Sequence, residues 1–176
     1  MNRWRALALA AVVAVAATAA GYGAYRWWFG VTASERASVD ALFSTPLANL
    51  SGGTDTLGKW RGRVLVVNFW ATWCAPCREE IPLFVRMQER LGGRGLQFIG
   101  IAIDRPVPVA AFQREYAMNY PILIGGLETM ELLRATGNRN GVLPFTLIID
   151  RKGRLVRQKL GTLKEGQLEA MVEPLF

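Results

Sequence analysis

A chain of 176 residues has room for one ordinary domain and an appendage. Its 21 basic and 14 acidic side chains give a formal charge of +7. Arg3, Arg5 and Arg26 flank an apolar run; without them 18 basic residues face 14 acidic ones, or +4, and nucleic-acid binding has little support.

The apolar run, Ala6–Tyr25, is twenty residues without a charge. A helix of that length just crosses a hydrocarbon layer of about 30 Å. Arg3 and Arg5 precede it and Arg26 follows, which favours an N-terminus in the cytoplasm and the bulk of the chain outside. Trp27, Trp28 and Phe29 then read as interfacial anchors. Ala17-Thr18-Ala19 also fits the cleavage site of a signal peptide, so residues 1–26 are a membrane anchor or a signal segment. Both readings export the rest. No cysteine lies near the run, which excludes a lipid-modified N-terminal cysteine.

Residues 27–38 read as a tether of mixed polarity, and the domain is expected over 39–176. Asn49–Thr56 (NLSGGTDT) is turn-rich and suits a hairpin. Val64–Trp70 is a continuous apolar run, as in a central strand buried on both faces. From Ala75 the period becomes helical, with Ile81, Phe84, Val85 and Leu91, and Gly92-Gly93 ends the element. Leu96–Ile103 is a second buried strand, followed by a helix over Val109–Asn119, a strand at Ile122–Ile124 and a helix over Leu127–Thr136. Phe145–Asp150 and Arg154–Leu160 flank the turn Arg151-Lys152-Gly153 as a hairpin, whose basic residues, with Arg157 and Lys159, form a solvated face. Thr162 and Glu165 have capping-box spacing before a last helix. This order predicts an α/β fold: a mixed sheet with helices on both faces, and a reactive site beyond the carboxyl end of a central strand.

Cys74 and Cys77, the only two cysteines, stand just past such a strand. Zinc needs four ligands, and the sequence has no histidine and no third cysteine. Covalent haem attachment needs a histidine where Arg78 stands. A structural disulfide would close too small a loop to stabilise much. Redox exchange is the favoured use. A helix N-terminus lowers a thiol pKa, so Cys74 is expected as the exposed nucleophile and Cys77, one turn further in, as the more buried resolving thiol. Ala75-Pro76 adds neither a cation nor a polar group between the sulfurs, which favours a reductant over a strong oxidant.

Asn68–Cys77 (NFWATWCAPC), with Leu143-Pro144 before FTLIID, resembles the thioredoxin superfamily, and within it the membrane-tethered TlpA/ResA-like branch. The likeness runs from about Ala41 to Phe176. It implies a thioredoxin-like mixed sheet flanked by helices, with an N-terminal β-hairpin extension and one N-terminal transmembrane helix. It also implies that Leu143 and Pro144 form the cis-proline loop that offers backbone to a substrate, that Trp73 borders the nucleophile, and that Glu80 helps to set the cysteine pKa values. Glu80 also reads simply as an acid favoured in the first turns of a helix. Asn68 stands where thioredoxin has a buried acid, and Phe145 where relatives often carry threonine, so the larger ring is expected to alter the substrate groove.

The function this implies is an exported, membrane-anchored thiol:disulfide oxidoreductase without cofactor or metal. Its implied substrates are cysteines of cytochrome c precursors or of copper-centre assembly proteins, and its donor a membrane-embedded thiol reductase. It would sit in a bacterial cytoplasmic membrane facing the periplasm or cell exterior, or be soluble there after signal cleavage. Two alternatives remain. A peroxiredoxin-like peroxidase wants threonine or serine three residues before its cysteine, and Ala71 stands there. A copper(I) carrier suits soft thiolates, but no histidine or nearby methionine supports it.

Overall fold

A computed structural model describes residues 3–29 and 33–176. The chain divides into two units, residues 1–32 and 33–176. The first holds helix α1 (Arg3–Phe29), which over Arg3–Tyr22 is long and apolar enough to cross a membrane; a signal sequence meets the same description. The side chains of the aromatic anchors Trp27–Phe29 lie outside the described residues.

The second unit opens with α2 (Ala33–Ser44), so the compact part begins earlier than the Val39 boundary read from the sequence. The reason is visible in α2 itself. Val39, Leu42 and Phe43 are buried at helical spacing, whereas the turn before them carries polar residues that read as a tether. The other elements are β1 (Leu47–Asn49), β2 (Thr54–Asp55), β3 (Val64–Trp70), α3 (Ala75–Leu91), β4 (Leu96–Ala102), α4 (Pro106–Glu115), β5 (Ile122–Ile124), α5 (Leu127–Ala135), β6 (Phe145–Ile149), β7 (Leu155–Leu160) and α6 (Glu165–Val172).

The seven strands form one sheet in the order β2-β1-β5-β4-β3-β6-β7. β3 lies inside it, parallel to β4 and antiparallel to β6. Every residue of β3 and β4 is buried, which explains why both runs are apolar without alternation apart from Asn68 and Gln97. Phe84, Met87 and Ile81 of α3 close the core over Phe98, Val66 and Val64. The hairpin expected over Asn49–Thr56 is β1–β2, and the Asn49 carboxamide shapes its turn by accepting from Ser51 and Gly53 N–H.

The last helix corrects one expectation. Its N-cap is Lys164, and the Gln167 carboxamide accepts from Lys164 N–H at 3.1 Å, so Thr162 and Glu165 do not make the cap. Exposed pairs join α6 to α3, Arg90 with Glu165 and Glu169, and the residues just after each helix, Arg94 with Glu173. Each is worth about 0–1 kcal/mol, enough to bias where the β7–α6 loop rests but not to hold it alone.

The β6–β7 turn depends more heavily on one side chain. Asp150 accepts from Lys152 N–H and Arg154 N–H, both at 2.9 Å, and from the Arg154 guanidinium. Asp150→Ala is expected to lose about 1–2 kcal/mol of stability. Urea unfolding of the full chain in detergent tests this; an unchanged midpoint would show that the turn forms without that carboxylate.

Candidate redox site

β3 ends at Trp70, and the chain passes through Ala71-Thr72-Trp73 to Cys74, the N-cap of α3. Cys74 keeps extended backbone (φ −87°, ψ 102°), and its Sγ accepts from Cys77 N–H at 3.3 Å. The backbone amide that favours a thiolate is therefore aimed at this sulfur. Pro76 sits in the first turn, where its missing N–H removes no helical bond. Cys74 and Cys77 are joined as a disulfide.

The accessibility of Cys74 departs from the sequence reading. It is only 6% exposed and Cys77 is fully buried, so the expected order holds but the first sulfur is not broadly open. The bridge to Cys77 and the Cys77 N–H hold Cys74 Sγ against the first turn of α3. Trp73, beside it, is 70% exposed.

The Leu143–Pro144 peptide bond is cis. Phe145 pairs with Phe69 across β3 and β6, so the two residues before it lie at the same end of the sheet as the cysteines. Pro144 is buried and Leu143 half-buried. Asn138, which sequence reasoning missed, fixes this loop: its carboxamide donates to Val142 C=O at 2.6 Å and accepts from Val142 N–H at 3.0 Å. The Asn before a Gly-terminated turn, Asn138–Gly141, was the available signal. From the other side, Gly161 N–H donates to Pro144 C=O at 2.9 Å.

Phe145 corrects a second expectation. Its ring is buried against Phe69 with centroids 6.0 Å apart, so it fills the core rather than the groove. Thr146 is buried too and faces inward.

Glu80 follows Cys77 by three residues on α3, which sets both on one face. It is 2% exposed, so it is no ordinary surface acid of an early helical turn. Its Oε1 accepts from Asn68 Nδ2 at 2.8 Å and its Oε2 from Leu163 N–H at 2.9 Å. The second hydrogen of Asn68 Nδ2 goes to Thr146 Oγ1 at 3.0 Å. Burial pushes the Glu80 carboxyl up to about 7, against the lowering effect of the Leu163 and Asn68 donors. An acid tuned to that range can take or give a proton near neutral pH. Tyr120 is held well above the usual phenol range by its own burial and by the Glu80 charge. The structure thus brings Cys74, Cys77, Trp73 and the Leu143–Pro144 loop to one end of the sheet, with Glu80 behind them in the core.

Comparison with known proteins gives the same picture. A model of the Redoxin family matches residues 36–173. The chain is 29% identical over 171 residues to the thiol-disulfide oxidoreductase ResA of Halalkalibacterium halodurans, covering 97% of this chain and 93% of that one. The ResA protein of Geobacillus kaustophilus is 27% identical over 169 residues, with 94% and 92% covered. Among solved structures, a thiol:disulfide interchange protein of the thioredoxin family from Chlorobium tepidum TLS superposes with a TM-score of 0.67 at 25% identity, covering 74% of this chain and 92% of that one. A thioredoxin-related protein from Neisseria meningitidis serogroup B gives 0.66 at 29% identity, with 73% and 97% covered. The sheet and its flanking helices are thioredoxin-like.

Proposed function

The chain belongs to the Redoxin family, as a ResA/TlpA-like member of the thioredoxin superfamily, and from that membership we propose an exported, membrane-anchored reductase of particular protein disulfides. It is a thiol:disulfide oxidoreductase. The observation that carries the reading is the Cys74–Cys77 pair at the N-terminus of α3, with a backbone N–H directed at the first sulfur.

In the reduced protein the Cys74 thiolate attacks one sulfur of a substrate disulfide. A mixed disulfide forms and the other substrate sulfur leaves as thiolate. Cys77, deprotonated, then attacks Cys74 Sγ, which expels the second substrate thiolate and closes the Cys74–Cys77 bridge. Two electrons pass to the substrate, and the two thiol protons end on its thiols or in solvent. Glu80 is the group that takes the proton from Cys77 on oxidation and returns it on reduction. Trp73, Leu143 and Pro144 bind the substrate segment.

The direction rests on Ala75-Pro76, which gives the thiolate no cation or polar partner. The topology rests on Arg3 and Arg5 before the span and Arg26 after it, with the domain on the outer face of a bacterial cytoplasmic membrane. Apocytochrome c cysteines or those of copper-centre assembly proteins are the substrates, and a membrane-embedded thiol reductase restores the dithiol.

The test uses the full chain in detergent, reduced and freed of reductant, then mixed with insulin. It should reduce the insulin disulfides as its own dithiol closes, consume peroxide no faster than free thiols do, and remain in the membrane fraction of expressing cells. A reduction potential near about −120 mV, that of a strong oxidant, overturns the reducing direction. Recovery as a shortened soluble protein overturns the anchor.

A further inference from the structure

β3 and β4 are parallel neighbours with Trp70 opposite Ala102, so their chains leave the sheet side by side. Ile103 N–H donates to Trp70 C=O at 2.8 Å, the last bond of the ladder. Beyond it the two exits diverge, one toward Cys74 and α3, the other toward α4. The Asp104 side chain spans the gap. Its Oδ2 accepts from Thr72 N–H at 3.2 Å and from the Thr72 hydroxyl. Its other oxygen accepts from Arg105 N–H at 2.7 Å.

An aspartate just before a helix is often merely a cap. Here the N-cap of α4 is Arg105, which makes no side-chain cap bond, and Asp104 reaches no amide further into that helix. Its second oxygen is committed instead to a residue 32 positions earlier, two before the nucleophile. Partial burial raises the carboxyl, but the Thr72 hydroxyl with the Arg105 and Thr72 amides outweighs it and leaves the group below the usual range, hence ionised at neutral pH. Each exit carries an exposed apolar residue, Trp73 at 70% after Thr72 and Val107 at 81% in α4. With so little of the Trp73 ring buried, its direction depends on the backbone that carries it.

We propose that Asp104 is a positioning residue: by fixing both donors of Thr72 it sets the Trp73–Cys74 turn in the orientation that a protein disulfide needs to reach the Cys74 sulfur. This rests on the oxidoreductase reading but on none of its details of substrate or donor. Asn turned with its oxygen toward Thr72 keeps both Thr72 bonds, while it loses the charge and the acceptor for Arg105 N–H; Ala removes the clamp.

The experiment compares the reduced full chain in detergent with Asp104→Ala, Asp104→Asn and Thr72→Val, each on insulin and on the small disulfide 5,5′-dithiobis(2-nitrobenzoate). Asp104→Ala should lose at least about tenfold in kcat/KM on insulin, with a smaller loss on the small disulfide that needs no docking, since misplacement by an ångström is enough to cost this much. The pH profile for alkylation of Cys74 should shift in the same variant. Asp104→Asn should stay close to the parent on both substrates. Thr72→Val, which keeps the N–H and the fold, should fall between them. The proposal is overturned if Asp104→Ala and Thr72→Val match the parent on insulin, if Ala and Asn lose equally, or if both substrates slow alike with an unmoved alkylation profile. A parent chain inert to both disulfides sinks the oxidoreductase reading, and this inference with it. With a parent active on both, any failure of the variants to behave as stated counts against Asp104 alone.

Discussion

Cys77→Ser should hold substrate on the protein as a mixed disulfide through Cys74, while Cys74→Ser should capture nothing. The two sulfurs are not equivalent in the fold. Cys74 retains some solvent exposure and accepts the Cys77 N–H, whereas Cys77 is sealed beneath the helix. Attack on an incoming disulfide therefore falls to Cys74, and release falls to Cys77, which needs no access to solvent because its target is the adjacent sulfur. Without the resolving thiol, turnover should drop by about a thousandfold or more, with the intermediate stable to gel electrophoresis without reductant. Iodoacetamide gives an independent check on the reduced parent chain: Cys74 should be modified at neutral pH well before Cys77. Preferential labelling of Cys77, or equal capture by both serine variants, would reverse the assignment.

The low exposure of Cys74 was not legible in the sequence, whereas its place in the chain was. Strand-turn-helix order and the N-terminal position of the cysteine follow from local pattern: six apolar residues and Asn68 in Val64–Trp70, then helical spacing from Ala75. Exposure does not, because it depends on how side chains from other elements close around the turn. The cis bond at Pro144 and the strand at Ile122–Ile124 were legible from nearby residues, the first through family likeness and the second through composition. The start of α2 was not, since its polar first turn looks like any tether and only packing of Val39, Leu42 and Phe43 reveals a helix. Phe145 illustrates the difficulty most clearly. Its position after the proline suggested a groove, yet cross-strand pairing with Phe69 turns its ring into the core. Asn138 was legible only as a turn former and Asp104 not at all, because the partner that a short polar side chain in a turn holds is not marked by any pattern.

The network around Glu80 is the extreme case, since Asn68, Thr146 and Leu163 come from β3, β6 and the loop before α6. Its consequence is a stability that depends on pH with an unusual sign. In the unfolded chain the carboxyl titrates near 4.5, and in the folded protein near 7. Between those values the native state holds a proton that the unfolded state has released, so folding stability falls as pH rises through that window and the loss is complete above about pH 7. A displacement of this size corresponds to about 3 kcal/mol. Glu80→Gln, which cannot ionise, should abolish that slope: it loses one of the acceptors for Asn68 and Leu163 at every pH, and from pH 4 to pH 8 it gains on the parent by up to about 3 kcal/mol in urea unfolding. The same substitution should slow disulfide exchange by about a hundredfold near neutral pH and flatten its pH profile, because the proposed mechanism passes the Cys77 proton through this carboxyl. Stability and rate thus move in opposite directions, which a damaged fold cannot produce. Parallel stability curves for the two proteins between pH 4 and 8 would show that Glu80 titrates as an ordinary acid, and an unchanged rate profile would remove it from the chemistry.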